Sequence, residues 1–88
     1  SGDAVLLLGK ILVEAGRASE ALEFLDEGLA ARRQTYGEQH WKTATARCWR
    51  GEGLVALERF AEAETDLTAG LATLRKVLPA GEARIAGP

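Results

Sequence analysis

Apolar side chains at Val5, Leu8, Ile11, Leu12 and Ala15 follow the i, i+3, i+4, i+7 spacing that lays a stripe along one helix face. They predict a first helix from about Ala4 to Ala15, stopped by Gly16. Ser19 is placed to cap the next helix, its hydroxyl accepting from the free amides of the first turn. Ala21, Leu22, Leu25, Gly28 and Leu29 form the second stripe, with Glu23 and Glu27 turned away from it. After Tyr36 and Gly37 the pattern restarts and predicts a third helix from about Trp41 to Leu57 and a fourth from about Ala61 to Val77. No proline interrupts any of these runs before Pro79. Connections of a few residues make neighbouring helices antiparallel.

The pattern is said twice. GRASEALEFLDEGLA, residues 16–30, returns 42 positions later as ERFAEAETDLTAGLA, residues 58–72. The same offset pairs Gly9 with Gly51, Leu12 with Leu54, Arg17 with Arg59, Glu20 with Glu62, Leu25 with Leu67 and Gly28 with Gly70. A period of this size marks a solenoid, in which each unit buries its apolar face by stacking on a neighbour. Glycine inside a helix costs about 1 kcal/mol relative to alanine. Gly9, Gly28, Gly51 and Gly70 therefore predict close helix crossings, with Ala21 and Ala63 as the small surfaces opposite.

Composition narrows the function. The 88 residues carry 11 basic and 13 acidic side chains, net charge −2, mixed along the chain, so no electrostatic footprint for nucleic acid or anionic lipid is present. The apolar run AVLLLG is broken by Lys10 and is too short to span a bilayer. The single Cys48 and single His40 provide neither a disulfide framework nor a zinc site, which fits a reduced, cytoplasmic setting.

Candidate chemistry is sparse. His40 has no orienting group for acid–base work, and Cys48 has no base placed to activate it. Glu58, Glu62, Glu64 and Asp66 spread around a helix and read as a solvated face rather than a cation site. No glycine-rich phosphate loop is present. No catalysis, cofactor or metal is expected.

The residues Leu8, Gly9 and Leu12, the turn at Gly16 and Arg17, then Glu20, Ala21, Leu25, Gly28 and Leu29 resemble the tetratricopeptide repeat. Phe60 stands where that family carries an aromatic, within RFAEAE, residues 59–64. The 42-residue period, with YGEQH between units, resembles the kinesin light chain variety, and similar arrays occur in bacterial signalling proteins. The resemblance implies an all-α fold: two helix-turn-helix repeats, about 4–36 and 41–78, in a short right-handed α-solenoid. Residues 78–86, LPAGEARIA, align with YGEQHWKTA at 36–44, so residues 79–88 read as the start of a truncated third repeat. Two repeats are fewer than the roughly three such arrays need. The expectation is a fragment of a longer protein, or an end sealed against a second copy.

The resemblance also assigns roles. Leu8, Gly9, Leu12, Ala21, Leu25, Gly28, Gly51, Leu54, Phe60, Ala63, Leu67 and Gly70 are expected to pack the repeats. Asp3, Leu6, Leu7, Lys10, Thr45, Trp49 and Glu52, with Val13 and Val55, are expected to line a concave, mildly acidic groove that takes a protein or peptide. Trp49 suits a binding hot spot, and equally the core. Arg47 and Arg50 replace leucines of the family pattern and are expected to turn outward or to pair with Glu14, Glu52 or Glu64. The chain contains no asparagine, which argues against the backbone-gripping clamp of some members. A structural spacer or self-association element is the alternative function.

Overall fold

The computed structural model describes residues 2–78; the expected third-repeat remnant at 79–88 lies outside the described residues. Four helices follow one another: α1 (Gly2–Glu14), α2 (Ala18–Tyr36), α3 (Trp41–Ala56) and α4 (Phe60–Val77). α1 packs on α2 and α3 on α4, giving two hairpins, and α2 joins them by lying along α3. α1 also touches α3, whereas α4 packs on α3 alone among the described residues. No described helix is long and apolar enough to cross a membrane.

Both hairpins turn by the same device. The Arg17 amide donates to the Leu12 carbonyl at 2.8 Å and the Gly16 amide to Val13 at 3.0 Å. In the second hairpin, Arg59 donates to Leu54 and Glu58 to Val55, both at 2.9 Å. This pair of bonds is the Schellman closure, which needs a left-handed residue just past the helix. Gly16 supplies it with φ +79°, and Glu58 is forced to φ +59° at the equivalent place.

The second helix of the first hairpin does not start as the sequence predicts, whereas α4 starts within one residue of the expected Ala61. Arg17, not Ser19, occupies the cap position of α2, and no side chain caps it. The helix begins two residues earlier, which leaves Ser19 exposed inside it. Arg17 instead grips Glu20 through two hydrogen bonds of 2.6 and 2.7 Å. Arg59 and Glu62 repeat the arrangement at 2.8 Å in both bonds.

Helix crossings fall on the glycines. A Cβ on Gly9 would stand 2.8 Å from Leu25 Cγ and 3.3 Å from the Ala21 carbonyl; on Gly51, 2.7 Å from Leu67 Cγ and 3.4 Å from the Ala63 carbonyl. Leu6 fills the space over Gly28, and Cys48 the space over Gly70. The core sits where α1, α2 and α3 meet: Leu6, Ala21, Leu25, Leu29 and Ala46 are buried, with Leu12, Val13 and Trp49 packed against them. Leu54 and Ala63 are buried in the second hairpin, and Leu67 is half-buried.

Two packing expectations are corrected. The buried side of α1 carries Leu6 and Gly9, while Leu8, Ile11 and Ala15 face solvent. α1 is apolar around nearly its whole circumference, so periodicity could not fix its rotation. Phe60 is 59% exposed where its counterpart Ala18 is 7% exposed, because no later helix covers that side of α4 among the described residues. The same contrast separates Leu29, 3% exposed, from Leu71, 45% exposed.

Arg47 and Arg50 find partners other than those expected. Arg50 Nη1 lies 2.6 Å from Asp66 Oδ2 and its Nε pairs with Asp26, while Arg47 Nε donates to Asp66 Oδ1 at 3.1 Å. Arg47 also faces Glu38 at 3.8 Å. Asp66 thus leaves the solvated face the sequence suggested and is 4% exposed, since two guanidinium groups replace its water.

Candidate interaction face

His40 starts α3. Its Nδ1 accepts from the Lys42 amide at 3.0 Å, so an imidazole takes the cap role usual for serine or aspartate. The ring stacks on Tyr36 at 4.5 Å between centroids and on Trp41 at 6.0 Å. Thr43 is buried and donates to the Arg32 carbonyl at 3.2 Å, tying the start of α3 to α2. Two turns into α3, Trp49 rests half-buried on the core cluster. The Lys10 ammonium lies 5.3 Å and the Arg32 guanidinium 5.7 Å from its ring centroid, within cation–π reach. Trp49 therefore both packs the core and carries two cations.

Arg32 ties this face together. It donates to Asp3 at 3.1 and 3.3 Å and to the Lys42 carbonyl at 2.7 Å. Lys10 faces Glu14 at 3.7 Å. Asp3, Lys10 and Trp49 are thus linked through Arg32 and the indole ring. Leu7 is exposed, Thr45 is half-buried and donates to the Trp41 carbonyl at 2.8 Å, and Glu52 and Val55 are exposed. Leu6 does not belong to the groove: it is fully buried over Gly28. Val13 packs on the core as well. The two groups over the ring are cations, and each faces a carboxylate, Arg32 that of Asp3 and Lys10 that of Glu14.

Sequence reasoning missed Arg32. The 42-residue offset gives Arg33 an arginine counterpart at position 75 but sets Arg32 against Leu74, so repetition hid it. Its partner Asp3 is 29 residues away, beyond any helical spacing rule.

Cys48 is half-buried between α3 and α4, over Gly70. Burial pushes its thiol up, and the carboxylates of Glu52 and Asp66 push the same way, disfavouring the thiolate.

Two antiparallel hairpins, related by a 42-residue repeat and crossing at glycines, agree with a match of the tetratricopeptide repeat family model to residues 3–76. The chain belongs to the tetratricopeptide repeat family. No curated protein and no solved structure matches it. Tetratricopeptide repeats generally mediate protein–protein interaction and are typically non-catalytic. In this tetratricopeptide segment the aromatic and charged side chains that α1, α2 and α3 bring together make Trp49 the centre of the candidate site.

Proposed function

We propose that the segment is a non-catalytic interaction module that takes a peptide or protein partner on the concave face around Trp49. The observation that carries this reading is the indole itself, half-buried on the core and flanked by Lys10 and Arg32. An anchored tryptophan presents a large rigid surface at little entropic cost, which is what a hot spot requires. The two hairpins, about 4–36 and 41–78, are its repeat units. The 42-residue period supports the kinesin light chain-like variety within a larger signalling protein, and the free Cys48 suits the cytoplasm.

Panning a displayed peptide library against the chain tests the reading. Selected peptides should bind Trp49→Ala at least about tenfold more weakly than the parent, with the helical circular dichroism unchanged. Equal binding to both proteins would count against the Trp49 face.

A second reading makes the segment a self-association element. It is favoured by Leu71, Val55 and Phe60 at one end and Leu8 and Ile11 at the other, all exposed. Light scattering decides it: a dimer that Leu71→Glu converts to monomer supports it, and a monomer at all concentrations removes it.

A further inference from the structure

The contacts at Trp49 belong to a longer strip. Lys10 and Arg32 lie over Trp49, and Lys42 lies 5.1 Å from the Tyr36 centroid and 5.7 Å from that of Trp41. Arg32 joins the halves by donating to the Lys42 carbonyl. Three cations therefore lie against the chain's two tryptophans and its one tyrosine, two on Trp49 and one between Tyr36 and Trp41, across α1, α2 and α3.

The three cations are not equally engaged. Arg32 faces Asp3 and Lys10 faces Glu14, whereas Lys42 has no carboxylate within ion-pair distance among the described residues. Its ammonium donates to the Tyr36 hydroxyl at 3.3 Å, leaving two of its three donors unspent. Aromatic faces hold an ammonium in place without neutralising it. A cation held this way is pre-organised for an anion, because its rotamer freedom is already reduced. The platform beside it is open, with Trp41 46% and Tyr36 38% exposed. Tyr36 also walls a recess of about 180 Å³ shared with Gly2, Asp3, Ala31, Arg32 and Thr35. The nearby carboxylates do not oppose an incoming anion, since Asp3 is answered by Arg32, and Glu38 by Arg33 and Arg47.

We infer that the strip selects an acidic peptide segment, seating a carboxylate on the Lys42 ammonium and laying an apolar side chain across Trp41. The inference rests on the Trp49 face being the docking face and names the chemical class of its partner.

A fluorescein-labelled glutamate-rich peptide bearing one leucine, and its glutamine counterpart, test it by anisotropy on the intact chain. The glutamate peptide should bind at least about tenfold more tightly than the glutamine one, and added salt should narrow the gap. Lys42→Gln should abolish the gap while leaving the melting temperature in place. Equal affinity for the two peptides, no binding of either, or a gap that survives Lys42→Gln overturns the acidic preference. Trp49→Ala reads the underlying docking face separately. Weakened binding of both peptides keeps that face even when the acidic preference fails; unchanged binding of both rejects the face and the inference together.

Discussion

The sulfur of Cys48 lies 2.6 Å from the point where a Cβ on Gly70 would stand, and Leu6 covers Gly28 in the same way one repeat earlier. The two helices of each hairpin cross through a hole that only glycine leaves open. Alanine at position 70 would gain about 1 kcal/mol of helix propensity. The Ala44 carbonyl, 3.0 Å from the same point, prevents the neighbouring backbone from absorbing the extra atom. Gly70→Ala should therefore lower stability by about 1 to 3 kcal/mol in urea unfolding. Cys48→Ala in the same chain should restore part of the loss, as a double-mutant cycle would register.

The left-handed turn predicts the opposite sign. Glu58 holds φ +59° where the first hairpin has Gly16. A side chain in this region costs about 1 kcal/mol that glycine does not. Glu58→Gly should stabilise the chain by up to about 1 kcal/mol, and Gly16→Ala should destabilise it by a similar amount. A shift of the urea midpoint in the same direction for both variants would contradict the shared closure.

Asp66 is the most enclosed charge. Removing it strips Arg47 and Arg50 of their common acceptor while both stay mostly covered. Asp66→Ala should cost at least about 2 kcal/mol. Asp26, paired with Arg50 but half exposed, should cost less than about 1 kcal/mol when changed to alanine. Equal losses in thermal or urea melts would show that burial does not set the rank.

Glu20 and Glu62 titrate below the ordinary glutamate range because each accepts hydrogen bonds from an arginine, Arg17 and Arg59 respectively. A carboxylate depressed on folding contributes stability above its unfolded pKa and loses it as pH falls through the folded one. The contribution of these pairs is thus complete at neutral pH and disappears in acid. Both lie at the surface, so salt should weaken it. Carboxyl NMR titration should return Glu20 to the ordinary range in Arg17→Ala and leave Glu62 depressed.

Repetition made most of the architecture legible. The glycines at two fixed places per unit pointed to close crossings, and the turn residues to the hairpins. Legibility stopped where local pattern stopped being decisive. In α1 an almost wholly apolar cylinder offers no unique phase, so Leu6 read as groove and Leu8 as core. In α4 Asp66 sits in an acidic run, and only tertiary structure brings Arg47 and Arg50, 19 and 16 residues away, onto its carboxylate. Trp49 and Lys10 were both visible as candidates for one face, but Arg32, the second cation at the indole, was not. Lys10 comes from α1 and Arg32 from α2, and no spacing rule links either to an indole on α3.

α3 touches every other helix, while α4 leans on α3 alone among the described residues. Cooperativity in such a stack is directional: α4 can detach while α1, α2 and α3 keep their shared core, but α3 cannot let go without releasing all its neighbours. Amide hydrogens should exchange from the α4 end inward, with the slowest at the centre of α3. The indole of Trp49 is thus mounted on the part of the chain that opens last, and a ligand gripping it gains a rigid anchor even while the far end of the stack breathes.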